Sequence, residues 1–291
     1  MEQAQVLSTT DLKIPCANLL GVGIHAVDMA RTISLIEDAL VCRRKYYVCA
    51  TGVHGVMEAN RDGELKSILN KSFLTVPDGK PTVWVGRIEG KAGIGHVGGP
   101  ELMLEMCRVS QDKGYTHFLY GGKPGVAPAL EAALQHRFPG IKIVGSYTPP
   151  FRALNPQEEA ELDQTVQEAA PDIFWVGIST PKQEKFMFEY LPKLNTKMMI
   201  GVGAAFDFHS GKVKFAPLWM RESGLAWIYR LSQDPRRLWK RYLFNIPRFV
   251  WAITLQLLGL RSYPLERWAG VETPFVNSKA CGPSKVADSI K

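Results

Sequence analysis

The sequence predicts an α/β fold: a Rossmann-like parallel or mostly parallel sheet with crossover helices, followed by a basic C-terminal helical appendage. Three observations predict it. Five short apolar runs have the length of buried strands, segments of helical period lie between them, and positive charge gathers beyond residue 216.

Taken in order, residues 27–41 show helical spacing and precede a strand at 46–50 that ends in Thr51-Gly52. A second strand at 73–76 runs into Pro77-Asp78-Gly79, and a helix is expected over 101–113. The strand at 118–120 ends in Gly121-Gly122-Lys123-Pro124 and feeds a helix over 125–137. Asn155-Pro156-Gln157-Glu158 joins a cap, a first-turn proline and a glutamate able to reach back, which marks a helix start. A very apolar strand at 173–178 leads through Ser179-Thr180-Pro181 to a helix over 182–194, and the last strand, 198–202, leads to Gly203 and Asp207. Ligands of open parallel sheets bind beyond the carboxyl ends of the strands, so these five turns form the candidate site.

The 291 residues, 46% hydrophobic and 22% charged, suffice for one large domain with an appendage. We place a catalytic region at 18–215, a membrane-associating basic appendage at 216–267 and a disordered tail at 268–291. The five cysteines (Cys16, Cys42, Cys49, Cys107, Cys281) form no CxxC pair, and residues 1–15 lack an apolar signal core. Reduced thiols and a cytoplasmic protein, peripheral on the inner face of the cytoplasmic membrane, are expected.

Of the formal charge of +7, nearly all lies between 217 and 267, where Arg221, Arg230, Arg236, Arg237, Lys240, Arg241, Arg248, Arg261 and Arg267 face only Glu222, Asp234 and Glu266. The uncharged run 249–260 is 12 residues long, short of the roughly 20 needed to cross a bilayer. Arginines interleaved with Trp239, Phe244, Phe249 and Trp251 favour an anionic membrane surface over plain packing, and both over nucleic acid.

Each turn has a bland reading and a chemical one. Pro-Asp-Gly makes a good turn, but a carboxylate at Asp78 beside the same crevice could take a proton from an attacking hydroxyl. Thr51 could cap the next helix or orient that hydroxyl. Gly121 and Gly122 open a helix whose N–H groups could meet phosphate. Gln183 can donate and accept toward a uracil edge or sugar hydroxyls, and Asp207 is either an Asx-turn or a crevice carboxylate. Asp207 and His209 alone are too few for a metal site, and no DxD occurs, so no metal or other cofactor is expected.

Together these segments resemble the WecG/TagA/CpsF glycosyltransferases. The resemblance rests on Thr51, Asp78-Gly79, Gly121 to Gly125, Pro171-Asp172, Pro181-Lys182-Gln183-Glu184, Gly201-Val202-Gly203, Phe206-Asp207-Phe208, Ala216-Pro217 and Asp234-Pro235-Arg236-Arg237, and it spans roughly residues 20–245. It implies an inverting transfer of a hexose or N-acetylhexosamine-type sugar from a UDP-sugar donor to a polyprenyl-diphosphate-linked acceptor, without a required metal. It further implies Asp78 as base, Thr51 as catalytic threonine, Gln183 and Asp207 in the donor pocket, and Arg230, Arg237 and Arg241 on diphosphate.

The chain departs from the family pattern in several places. Thr51-Gly52-Val53-His54 stands where Thr-x-Asn is usual, so the Asn contact is missing or replaced by His54, and Gly95-His96-Val97 stands for Glu-Arg-Val. The donor is therefore left open among ManNAc, ManNAcA, glucose and glucuronate types, and a homo-oligomer also stays open. Two rivals fit less well. An NAD-type oxidoreductase needs a third glycine that Gly21-Val22-Gly23 lacks, and a membrane-surface scaffold gives no reason to array Thr51, Asp78, Gln183 and Asp207 along one crevice.

Overall fold

The computed structural model describes residues 14–42 and 44–265, so the expected signal-free N-terminus and disordered tail lie outside the described residues. A short hairpin, β1 (Cys16–Leu19) and β2 (Val22–His25), precedes α1 (Met29–Val41) and β3 (Tyr46–Thr51). Then come α2 (Val53–Ala59), α3 (Gly63–Lys71), β4 (Leu74–Pro77), α4 (Lys80–Ile88), α5 (Gly99–Lys113) and β5 (Thr116–Gly121). The second half runs α6 (Val126–Arg137), β6 (Lys142–Tyr147), α7 (Pro156–Ala169), β7 (Ile173–Gly177), α8 (Lys182–Tyr190), β8 (Met198–Gly201) and α9 (Ala205–His209). The appendage comprises α10 (Leu218–Glu222), α11 (Ala226–Gln233) and α12 (Pro235–Leu257).

Six strands form one sheet in the order β4-β3-β8-β7-β5-β6, and every pair in it is parallel. Strand residues alternate between two apolar layers, as the period of two requires. Cys49, Phe118, Phe174 and Met199 face one layer, while Val48, Leu119, Trp175 and Ile200 face the other. All five predicted strands are present. The sixth, β6, escaped notice because it is an edge strand of alternating exposure with no continuous apolar run. Gly21 lies in the tight turn of the antiparallel hairpin β1–β2, not in a strand-to-helix turn, which removes the dinucleotide-binding alternative.

Helix starts follow their chemistry. Asn155 accepts from the Glu158 N–H at 2.9 Å while the Glu158 carboxylate accepts from the Asn155 N–H at 2.8 Å, the reciprocal cap anticipated for α7. Helix α8 stops at Tyr190, earlier than the predicted 194, although Leu191 and Leu194 remain buried beyond it. Apolar spacing therefore persisted past the last helical turn. The predicted start at Gly125 shifts by one residue, since Gly125 is the left-handed cap of α6.

The last long helix, α12, packs on the sheet and its helices. Phe249 and Ile253 of α12 are 3% and 6% exposed within the same apolar layer as α2 and α3. Each such burial contributes about 1.5–3 kcal/mol. Farther along α12, Gln256 Nε2 donates to the Asn18 carbonyl at 2.6 Å and Gln256 Oε1 accepts from the Leu20 N–H at 2.9 Å, clasping the hairpin turn.

Candidate active site

Thr51 and Asp78 meet where β3 and β4 end. The Asp78 N–H donates to the Thr51 carbonyl at 3.2 Å, which fastens the two turns together. Thr51 is 2% exposed and its Oγ1 has no hydrogen-bond partner, while Gly52 occupies the cap of α2 without side-chain help. The capping role is thus not taken, and a buried hydroxyl is left aimless without a ligand. Gly79, at φ 88°, turns the chain into α4 in a conformation costly for other residues, and no side chain caps that helix either. The Asp78 carboxylate is consequently not consumed by its turn.

Solvent reaches 43% of the Asp78 side chain, and His96 Nε2 stands 3.9 Å from its Oδ1. Crowding by protein raises its carboxyl above the ordinary range, a rise opposed by His96, reinforced by Glu101 and opposed again by Arg241. Solvent at the crevice mouth tempers that rise. A carboxylate that is open to a ligand and binds its proton more tightly than usual suits a general base.

The three remaining turns lie along the same edge. Gly121 must be glycine because a Cβ there would come within 2.5 Å of the Gly177 carbonyl, and the Gly122 N–H donates to that same carbonyl at 3.2 Å. The phosphate-cradle expectation is corrected for Gly122, whose N–H is engaged by β7. Gln183 is 2% exposed; its Oε1 accepts from the Gly203 N–H at 3.0 Å and its Nε2 donates to Glu184 at 2.9 Å. The amide ties the β7 turn to the β8 turn, leaving at most one N–H for a ligand. The Asp207 carbonyl, not its carboxylate, accepts from the Val213 N–H at 3.0 Å, so the Asx-turn reading is replaced by a main-chain turn.

Over this edge stand the appendage arginines. Arg230 lies 4.5 Å above the Phe208 ring, beside Asp207, with a buried Nη1 that lacks a partner. Burial lowers the affinity of Arg230 for its proton, as it does for Arg241, whose buried Nε is equally unpartnered and whose field reaches Asp78. Arg237 pairs with Asp234 at 2.5 Å and adds its charge to the group. Clustered guanidiniums with unfilled donors form a receptor for a multiply charged anion.

His54 is turned toward α12 rather than left open to a ligand. Asn245 Nδ2 lies 3.2 Å from its Nδ1, and burial, with Arg241 and Arg61, pushes its pKa down to about 3, so the ring is neutral. Sequence reasoning gave Glu184 no role beyond its place in the Pro-Lys-Gln-Glu block. It is 1% exposed, accepts from Thr180 Oγ1 at 2.7 Å, and has an Oε2 without a partner; burial raises its carboxyl. It also missed His96 and Glu101 as neighbours of Asp78, since both lie where no strand or turn signal points. Glu101 in turn pairs with Arg221 of α10 at 3.2 Å.

The sequence matches the "Glycosyl transferase WecG/TagA/CpsF family" over residues 17–263. It is 32% identical over 191 residues to a Bacillus subtilis (strain 168) protein named N-acetylglucosaminyldiphosphoundecaprenol N-acetyl-beta-D-mannosaminyltransferase, covering 66% of this chain and 72% of that relative. A protein of the same name from Bacillus spizizenii (strain ATCC 23059 / NRRL B-14472 / W23) is 29% identical over 196 residues, covering 67% and 74%.

Proposed function

Because this chain belongs to the WecG/TagA/CpsF family of glycosyltransferases, we propose that it moves a hexose or N-acetylhexosamine-type sugar from a UDP-sugar to a polyprenyl-diphosphate-linked saccharide, with inversion. The observation that carries this reading is a chain of partnerless polar atoms along the crevice: Thr51 Oγ1 next to Asp78, Arg241 Nε, whose field reaches Asp78, Glu184 and Arg230, and Glu184 Oε2 and Arg230 Nη1 themselves. These are a hydroxyl, a carboxylate and two guanidiniums, the set expected around a sugar diphosphate.

Asp78 takes the proton of the acceptor hydroxyl as that oxygen attacks the anomeric carbon. The bond to the diphosphate oxygen breaks, and UDP leaves with its charge met by Arg230, Arg237 and Arg241. Gln183 and Asp207 flank the donor side. The relatives' names support a lipid-linked acceptor, and the donor remains one of the ManNAc, ManNAcA, glucose or glucuronate types, used for a cell-surface polymer or exopolysaccharide. In this reading Arg230, Arg237 and Arg241 meet the diphosphate charge, and no metal is invoked.

We propose that the enzyme works at the inner face of the cytoplasmic membrane, where a polyprenyl-linked acceptor would be met. No helix among the described residues is long and apolar enough to cross a membrane. Instead, α12 exposes Trp239, Leu243, Phe244, Val250 and Trp251 along with Arg236, Lys240 and Arg248, and α10 exposes Leu218 and Trp219. Such a patch favours an anionic interface.

The test is UDP release from a panel of UDP-sugars with polyprenyl-diphosphate-linked acceptors. Acceptor-dependent release with one donor, reduced about 10²- to 10⁴-fold in Asp78→Asn, is expected. No release with any donor from folded protein would move the assignment to a membrane-surface scaffold.

A further inference from the structure

The inner face of α12 carries Leu238, Arg241, Asn245, Phe249 and Ile253, spaced by three or four residues. Four of them are buried, and one of those four, Asn245, is polar. At 4% exposure, its amide is engaged at both ends by the catalytic unit. Asn245 Nδ2 meets His54 Nδ1 at 3.2 Å, and Asn245 Oδ1 accepts from Arg61 Nη2 at 2.9 Å. Arg61 is itself held by Glu58 Oε1 at 2.9 Å, so α2 and the turn after it present a fixed donor and acceptor. A neutral His54 has one N–H, which its bond to the Thr180 backbone takes, and this leaves Nδ1 as the acceptor for Asn245.

An apolar stripe by itself allows a helix to rotate or slide in its groove at little cost. A buried amide with two fixed partners is satisfied in one register only, as with a single buried Asn in a coiled coil. Arg241 lies one turn from Asn245 on the same face, and unlike Asn245 it has a buried nitrogen left unfilled.

We propose that Asn245 is a positioning residue: by fixing the rotation and height of α12 on α2, it sets Arg241 over the crevice that holds Asp78. The proposal rests on reading that crevice as a diphosphate site, but it concerns a residue that touches no substrate. If it is right, Asn245 acts on ligands only through Arg241, and the two substitutions will not combine independently.

The experiment is a double-mutant cycle on the full chain, with inorganic pyrophosphate binding by calorimetry and sugar transfer read in parallel. Asn245→Leu should weaken pyrophosphate binding and lower kcat by about 10- to 100-fold, the scale of an ångström-level misplacement. In the Arg241→Ala background it should change residual binding by less than about twofold. Its thermal midpoint should fall only modestly, because the buried His54 Nδ1 loses its partner while Arg61 keeps Glu58 and solvent. Asn245→Gln, which keeps the amide but moves it by a methylene, should fall between the two.

Equal losses in both backgrounds, unfolding of both Asn245 variants, or an unaltered chain that fails to bind pyrophosphate would each overturn the proposal. The expected binding pattern without any sugar transfer would uphold it and discard the transferase reading instead.

Discussion

The two ends of one sheet treat their carboxylates in opposite ways. At the amino end, Asp172 accepts from the Thr116 N–H at 2.9 Å, from Thr116 Oγ1 at 3.1 Å and from Lys197 Nζ at 2.6 Å. Burial works to raise its carboxyl, but these bonds outweigh burial and hold it below the ordinary range. At the carboxyl end, Asp78 and Glu184 are pushed up, and Thr51, Glu184, Arg230 and Arg241 each keep a buried atom without a partner. The first arrangement stabilises the fold by itself. The second leaves hydroxyl, carboxylate and guanidinium atoms free to meet a ligand, the pattern the proposed function uses. His117 lies elsewhere, near the amino end of β5: its Nδ1 accepts from Trp175 Nε1 at 2.9 Å while its buried Nε2 has no protein partner.

The largest effect that would sharpen this contrast is on turnover. Arg241→Ala should lower kcat by about 10²- to 10³-fold, the usual loss for one preorganised charge-stabilising donor, with little change in thermal midpoint. Unchanged kcat would remove Arg241 from the centre. Next, Asp172→Asn should leave turnover unaltered but cost about 1–3 kcal/mol in denaturant unfolding. Because the folded value of Asp172 is depressed, the stability it supplies is complete above the ordinary carboxylate range and disappears as pH falls through that lower folded value. The two proteins should therefore converge in stability only in strong acid. A deficit that persisted there would contradict the bonding account.

The pH profile of kcat/KM gives a third comparison. Asp78 must be ionised to act, and its affinity for the proton is raised, so activity should climb with pH along a limb lying above the ordinary value of about 4. A limb at or below that value would contradict the crowding inferred for this crevice. The smallest effect concerns the membrane: Arg236→Glu and Lys240→Glu should weaken binding to anionic vesicles by about 1 kcal/mol for each positive charge removed, and more for reversal. Binding indifferent to both would detach these residues from the interface.

Much of this was legible in the sequence because the signals were local. Five strands announced themselves as apolar runs, and Asn155 with Glu158 wrote its own cap. Thr51, Asp78, Gln183 and Asp207 could be placed along one edge because strand ends in a parallel sheet share an edge. What stayed hidden depends on neighbours far apart in the chain. His96 comes beside Asp78 only after α4 has carried the chain away and back, and Asn245 finds His54 across 191 positions. Gly121 and Gly122 were misleading in a different way. Glycine at a strand end signals close approach, and here the Gly177 carbonyl approaches Gly121 and occupies the Gly122 N–H.

The most direct test of the central claim compares Asp78→Asn with the unaltered chain for both acceptor-dependent UDP release and thermal midpoint. Since the raised proton affinity means that the ionised carboxylate burdens the folded state at neutral pH, removing its charge should abolish most turnover while holding or raising the midpoint. Turnover retained in the folded variant would contradict the account, as would a loss of turnover accompanied by an equivalent loss of stability.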